Sequence, residues 1–311
     1  QGFQTVFLKE LSDQLSSGRF YILFGLIALT GLVSFYAAGS HLRASSQDLV
    51  ANFVLIRLFA TSGSSLPSFT WFISLLGPLV GISVGFDAIN GEQNTGTLTR
   101  LLAQPIYRDD VINGKFLARL TVLTLMTLSL GGLVAGMGII LTGVPPSGEE
   151  LLRLIIYLGL SIVYMAFWLA LAMLFSLYFR QTATSALAGV ALWLFFSIFL
   201  PILAGMVGDL LYPVAKSSNP MAQFYNLRTS QIISRLSPST LYREASVTLL
   251  SPNVRTLGPV LLDQAQGSIP GFLPLGQSLF LIWPHLTGLI AGTLLIFGIT
   301  YTLFLRQEIR A

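Results

Sequence analysis

The sequence contains no cysteine and few charged residues. The absence of cysteine excludes disulfide bonds and thiolate metal sites. Asp, Glu, Lys and Arg together make up 10% of the 311 residues, and apolar side chains make up 53%. A soluble domain usually carries about 25% charged residues. With a mean hydropathy of +0.75, this composition excludes a soluble globular protein and indicates a membrane protein.

The sequence also lacks the nucleotide and metal motifs of common enzyme classes. Its two histidines, His41 and His285, lie far apart, and no HExxH motif is present. Gly114-Lys115 is followed by Phe116, and Asp109 stands where a P-loop needs its first glycine. We therefore expect no catalytic residue, no metal and no cofactor in this chain. If ATP drives the protein, ATP and Mg²⁺ must be bound by a separate subunit.

Two intramembrane-enzyme hypotheses have a structural alternative that we favour. Glu149-Glu150 and Arg153 resemble the paired-glutamate motif of membrane CAAX-type proteases, but the arginine is one residue too close and the required histidines are absent. His285 and a serine could form a hydrolytic dyad. The alternatives are that the glutamates begin a helix, where carboxylates suit the helix dipole, and that His285 is a hydrogen-bonded structural residue.

Six apolar stretches have the length that a helix needs to cross a membrane, about 20 residues. Because a backbone in lipid must satisfy its own hydrogen bonds, we predict an all-α polytopic membrane protein with six transmembrane helices. The stretches lack ionisable groups at mid-membrane depth, which argues against an ion-coupled carrier. Their approximate bounds are Phe20–Ala38, Phe69–Phe86, Leu120–Leu141, Leu154–Ser176, Thr184–Met206 and Ser278–Leu305.

Lysine and arginine are distributed unequally between the two sides of this predicted topology. The side that holds both termini carries nine of them in its short connections, whereas the short loops on the opposite side carry three. The positive-inside rule therefore places both termini in the cytoplasm of a multi-pass cell-membrane protein. The net charge of +4 is explained by orientation, and we expect no nucleic-acid partner. The nine are Lys9, Arg19, Arg100, Arg108, Lys115, Arg119, Arg180, Arg306 and Arg310.

Two segments outside the spans have recognisable patterns. In residues 1–19, apolar residues recur every four positions from Phe3 to Leu15, and Lys9, Glu10 and Asp13 lie on the other side. This pattern predicts an amphipathic helix in the membrane interface. Residues 207–277 contain several prolines and amphipathic stretches, and Ser237-Pro238 is a typical helix start. We predict an extracytoplasmic helical segment there, within a single domain covering residues 1–311.

Glycines recur at four-residue spacing in the second span, at Gly77, Gly81 and Gly85. Small residues at this spacing let two helices approach closely. The partner helix is either another span of this chain or a second copy.

The stretch Phe86–Lys115 is a polar segment between two apolar runs and holds seven of the chain's thirty charged residues. Within it, Thr95–Ala103 places Leu98, Leu101 and Leu102 on one helical face, and Pro105 disfavours continuation of the helix. Glu92 precedes this turn, where a carboxylate suits the helix dipole. We interpret residues 87–115 as a short helix between two spans that transmits a push from a soluble partner. The alternative is an interfacial loop without a partner.

The residues of this segment resemble the signature of type-2 ATP-binding-cassette (ABC) transporter permeases, the integral membrane subunits of bacterial and archaeal ABC exporters. Most of the chain shares the architecture of that family. The resemblance implies a coupling helix within Glu92–Pro105 that docks on an ATPase subunit. The matching positions, which would form the docking segment and its exit into the third span, are Glu92, Gly96, Thr97, Leu98, Leu101, Leu102, Pro105, Arg108, Gly114 and Lys115.

The resemblance further implies two ABC ATPase subunits and a second permease subunit, identical or homologous, as partners in the lipid bilayer. The expected function is the permease subunit of an ATP-driven exporter, with the translocation pathway at the dimer interface. The alternative is a mechanotransmission or assembly subunit that acts on an extracytoplasmic partner protein without moving a solute. The transported substrate does not follow from the sequence.

Overall fold

The computed structural model describes residues 2–44, 53–60, 68–143, 145–213, 220–253, 257 and 272–307. Within these ranges the chain forms thirteen α-helices, one π-helical turn at Phe195–Phe199 and no β-strand. The helices are α1 Gly2–Leu15, α2 Gly18–Ala44, α3 Val54–Ala60, α4 Phe69–Gly85, α5 Asn90–Asn94, α6 Thr97–Leu102, α7 Arg108–Thr142, α8 Gly148–Tyr178, α9 Thr182–Leu194, α10 Leu200–Leu211, α11 Pro220–Ser234, α12 Pro238–Leu250 and α13 Leu275–Arg306.

The helices confirm the prediction of an all-α membrane protein. Five helical stretches are long and apolar enough to cross a membrane, and a sixth is obtained if α1 and α2, which meet at a bend of 62°, count as one span. The predicted stretches fall in α2, α4, α7, α8, α9–α10 and α13. We call the end of the bundle that carries α1, α5 and α6 the α6 end, and the opposite one the α3 end.

Helix α8 occupies the centre of the bundle and packs against α4, α7, α12 and α13. The glycines of α4 face it. A Cβ atom at Gly81 would lie 2.6 Å from the carbonyl oxygen of Met165, and one at Gly85 would lie 2.8 Å from the Cβ of Ala172. Since neither backbone can move without separating the helices, this glycine pattern serves close packing within the chain.

The charged start of α8 has a structural role. Ser147 and Glu150 form a capping box, in which the serine hydroxyl accepts from the Glu150 N–H and the carboxylate accepts from the Ser147 N–H. The guanidinium of Arg153 is buried and donates to Glu149 and to the carbonyl oxygens of Leu249 and Leu273. All three charged side chains therefore hold the α3 end together, as the structural alternative to the protease motif predicts.

Helix α12 enters the bundle beside α8. Its Ser239 hydroxyl hydrogen bonds with Tyr164 and with Ser197 of the π-helical turn, at 2.9 Å each. Tyr164 lies sixteen residues into α8, about 24 Å from its start. Tyr242 is fully buried and stacks on Tyr164 at a centroid distance of 4.3 Å. Part of the segment after the fifth span is therefore packed inside the helix bundle.

His285 is a structural residue that connects α13 to α12. Its Nε2 lies 2.7 Å from the Glu244 carboxylate of α12, which also accepts from Arg235 at 2.8 Å. Together with Gln231 of α11, which donates to the same carboxylate at 2.7 Å, these contacts join α11, α12 and α13.

Candidate functional site

The segment between α4 and α7 folds into two short helices rather than the single helix predicted over Thr95–Ala103. Gly96, which separates α5 from α6, has φ of 69°. This left-handed conformation is readily adopted only by glycine, which explains the glycine at that position. Helix α6 ends at Leu102, three residues before Pro105.

Helix α6 turns its apolar side inward and its polar side outward. Leu98 is fully buried and Leu101 is half-buried, whereas Thr97, Thr99 and Arg100 are exposed. The side chain of Leu102 lies outside the described part of the chain. We define the exposed α6 face as Thr97, Thr99, Arg100 and the following Ala103–Pro105, all of which are exposed.

A cluster of charged side chains lies behind this face. Lys115 of α7 is fully buried, with its Nζ 2.8 Å from Glu10 Oε1 and 2.8 Å from Glu92 Oε1. Arg119 Nη1 is 2.8 Å from Glu10 Oε2, and Lys9 Nζ is 3.2 Å from Glu92 Oε1. We call these five residues the α1 charge cluster. It joins α1, α5 and α7.

The electrostatics of this cluster favour an ionised Glu10. Burial raises the pKa of this carboxyl group, but Arg119 and Lys115 outweigh that effect and lower the pKa to about 2. The amphipathic pattern of α1 puts Glu10 opposite the apolar stripe, towards solvent, and this prediction is wrong, because its side chain is buried against Lys115 and Arg119. Glu10 follows Val6 by one helical turn, and these two are the buried residues of the helix.

Hydrogen bonds fix α5 to the last turns of α8. The Ser176 hydroxyl accepts from the N–H groups of Ile89 and Asn90, at 2.9 and 3.2 Å, and donates to the Asn90 side chain at 3.1 Å. The Asn94 side chain donates to the Arg180 carbonyl oxygen at 3.1 Å. Helix α5 is thus attached to α8 as well as to α1 and α7.

The structure divides the ten sequence-predicted residues into two groups. Gly96, Thr97, Pro105 and Arg108 are exposed. Arg108 nevertheless donates to the Gln307 carbonyl oxygen at 2.9 Å, which connects α7 to the end of α13. The others, apart from the side chain of Leu102, are buried or half-buried and support the segment from inside: Glu92, Leu98, Leu101, Gly114 and Lys115.

Gly114 has a specific packing reason. A Cβ atom there would lie 2.9 Å from Val6 Cγ1, so α1 and α7 can approach closely only because this position is glycine.

Sequence reasoning missed Glu10, Arg119 and Ser176. The available signal was the position of Glu10 in line with Val6, and none marked Ser176.

Comparison with known proteins shows the family to which this chain belongs. The family model described as ABC-2 family transporter protein matches residues 4–309, nearly the whole chain. The chain belongs to the ABC-2 transporter family. Permease subunits of this family are generally not catalytic. Among the described residues, no group of three or more His, Asp or Glu side chains could hold a metal ion.

Two known proteins are similar to this chain over part of their length. The probable ABC transporter permease protein NosY of Pseudomonas aeruginosa is 32% identical over 149 residues, 46% of this chain and 52% of that protein. The protein of the same name from Stutzerimonas stutzeri is 30% identical over 194 residues, 62% of this chain and 64% of that protein. The aligned region thus spans between about half and two thirds of these relatives.

Proposed function

We propose that this protein is the permease subunit of an ATP-driven exporter, which forms the translocation pathway as a dimer and is coupled to two separate ATPase subunits. The observation that carries the proposal is the exposed α6 face, a polar surface between two spans that is supported by buried and half-buried residues. The excess of Lys and Arg in the short connections on the side of the termini supports a cytoplasmic location for this face.

A force on the α6 face can be transmitted to the spans through a small number of side-chain contacts. Glu92 connects α5 to α7 through Lys115, and Ser176 connects it to α8. Arg119 continues the connection to α4, because its Nε donates to the Val84 carbonyl oxygen at 3.0 Å. Helix α6 is attached to α5, where the Thr97 hydroxyl donates to the Glu92 carbonyl oxygen at 3.3 Å, so a displacement of α6 acts on these helices through α5.

The test separates the docking surface from its support. Arg100→Glu reverses a charge on the α6 face, and Leu101→Asp disrupts its half-buried edge. We expect Arg100→Glu to weaken co-purification with the cognate ATPase subunit about tenfold or more, as for a reversed charge at an interface. ATP-dependent substrate accumulation in inverted vesicles should fall in parallel. Membrane insertion should be unchanged.

Arg228→Glu is the matched control, because Arg228 is an exposed arginine of α11, outside the α6 face. It should behave like the wild type in both measurements. Unchanged co-purification and unchanged transport in both Arg100→Glu and Leu101→Asp would refute the coupling role of this segment.

The second candidate is a mechanotransmission subunit, and the attachment of α12 favours it. Arg153 binds the end of α12 through the Leu249 carbonyl oxygen at 2.9 Å, and Tyr164 binds its beginning. Movement of α8 therefore reaches the segment predicted to be extracytoplasmic. Stimulation of ATPase activity by a purified extracytoplasmic protein, without solute accumulation, would favour this candidate over export.

A further inference from the structure

A cavity of about 210 Å³ opens at the α3 end of the bundle, between α3, α4 and α12. Its polar lining consists of five hydroxyl residues and one arginine: Ser68, Thr70, Ser74, Arg243, Ser246 and Ser251. Trp71 and Val247 form part of its apolar wall. Neither residues 87–115, which we propose as the coupling segment, nor the α1 charge cluster contributes to it.

Two polar groups of the cavity are not fully satisfied by protein partners within the described part of the chain. The Ser246 side chain is 1% exposed, and its Oγ atom makes no hydrogen bond of standard geometry there, although the Tyr242 hydroxyl lies close to it. Arg243 is exposed, and no described carboxylate lies within ion-pair distance of it. A buried hydroxyl without a partner costs free energy unless a ligand or water satisfies it. The cavity therefore offers hydrogen-bond donors to an external group.

The donors suit an oxyanion. A guanidinium presents two N–H groups in the geometry that phosphate accepts. Serine and threonine hydroxyls add further donors, and the described lining residues include no Asp or Glu. The first turn of α4, capped by Ser68, also directs its positive dipole end to this side. A volume of 210 Å³ accommodates a phosphate with a short substituent, whereas drug-sized ligands need about 300–1,000 Å³.

The depth of the cavity in the membrane indicates which phosphate-bearing molecules can reach it. Ser68 caps the start of the second span, and Ser74 lies six residues further along it, about 9 Å deeper. This interval corresponds to the headgroup layer and its boundary with the hydrocarbon, which measures about 5–8 Å on each side of a bilayer. Trp71, which is 47% exposed, is typical of the same layer.

We propose that this cavity binds the phosphate of a membrane phospholipid from the leaflet at the α3 end. Arg243 and Ser246 of α12 and the hydroxyl groups at the start of α4 bind the phosphate oxygens. The acyl chains extend past Trp71 into the bilayer. The bound lipid connects α12 to α4. This inference concerns a different surface from the coupling segment and stands independently of the exporter proposal.

The test measures lipid binding to the delipidated full-length protein by native mass spectrometry in detergent micelles. The probe is phosphatidylglycerol, compared with diacylglycerol of the same acyl chains and with inorganic phosphate. We expect Arg243→Gln to weaken binding of phosphatidylglycerol about ten- to hundredfold, as for a lost charge-assisted hydrogen-bond pair. Arg243→Lys should weaken it less, because it keeps the charge.

Arg228→Gln removes an exposed arginine outside the cavity lining and should bind like the wild type. Unchanged binding in Arg243→Gln would overturn the proposal, as would equal retention of diacylglycerol. Saturable binding of inorganic phosphate without binding of phosphatidylglycerol would also overturn it, since the site would then serve a soluble anion. Arg243→Lys shows whether a loss in Arg243→Gln reflects misfolding, because a folded cavity retains partial binding in the lysine variant.

Discussion

Glu10→Gln should release α1 from α7 and thereby loosen the support of the α6 face. The wild-type carboxylate accepts from Lys115 and Arg119, at 2.8 Å each, in a site where its side chain is 5% exposed. Glutamine has nearly the same shape but no charge. Lys115 keeps Glu92, whereas Arg119 loses its carboxylate partner and keeps only carbonyl oxygens.

Two estimates of the cost agree. The pKa of Glu10 falls from 4.5 to about 2, and at 1.36 kcal/mol per unit this shift corresponds to about 3 kcal/mol of stabilisation by the ionised form. Removal of one partner from a buried ion pair typically costs about 3–5 kcal/mol. We take the lower value, because Lys115 keeps one carboxylate. The population of undocked α1 should therefore rise about a hundredfold.

The absence of cysteine makes the assay direct. Val6, 2% exposed and packed against Gly114, becomes a reporter in Val6→Cys. A maleimide labels the single thiol only when α1 undocks. If undocking is in rapid equilibrium, the labelling rate follows the open population. Glu10→Gln should therefore raise the labelling rate about a hundredfold relative to Val6→Cys alone.

Asp13→Asn is the matched control on the same helix. Asp13 pairs with Lys9 at 3.4 Å but is 62% exposed, so its contribution is less than about 1 kcal/mol. A labelling rate for Glu10→Gln within a few-fold of this control would refute the view that the α1 charge cluster holds α1 in place. The stabilisation by Glu10 should be complete above pH 4.5 and should disappear as the pH falls towards 2.

Three further predictions concern other contacts. Gly81→Ala, whose methyl group would lie 2.6 Å from a carbonyl oxygen of α8, should destabilise the protein by about 1–3 kcal/mol in thermal unfolding, whereas Gly136→Ala, which has open space, should not. Ser176→Ala leaves the N–H groups of residues 89 and 90 without their partner, costs about 1–3 kcal/mol, and should accelerate hydrogen exchange there; unchanged exchange would contradict the attachment of α5 to α8. Burial raises the pKa of Glu244, but hydrogen bonds from His285, Gln231 and Arg235 lower it overall. The difference in melting temperature between wild type and Glu244→Gln should therefore be full above pH 4.5 and shrink as the pH falls below it.

Several features of the fold were predictable because they depend on local properties of the chain. The spans follow from the partition of about 20 apolar residues into hydrocarbon, which requires no knowledge of neighbouring helices. The start of α12 at Pro238 and the inward face of Leu98 and Leu101 follow from turn chemistry and helical period. The break at Gly96 was not predicted, because a glycine in a sequence is compatible with several backbone conformations and does not announce a left-handed one.

The roles of the charged residues could not be predicted in the same way. Glu10 and Lys115 are 105 residues apart, and Ser176 is 86 residues from Asn90. Amphipathic periodicity assigns a carboxylate to the solvent side, since it contains no information about a cationic partner on another helix. Glu92 was assigned to the docking surface, and the structure turns it towards Lys115. Its part in docking remains a prediction.

The sequence by itself determined that this chain is an all-α membrane protein, that it carries no P-loop, and which polar segment lies between the second and third long apolar stretches. These properties depend on composition and short-range spacing. Only the tertiary structure decided that the glycines of α4 pack on α8, that α12 enters the bundle, and that Glu10 is buried between Lys115 and Arg119. Each of these depends on contacts between distant parts of the chain. In a buried site, an unpaired charge or the cavity left by a removed side chain changes the free energy of folding by several kcal/mol.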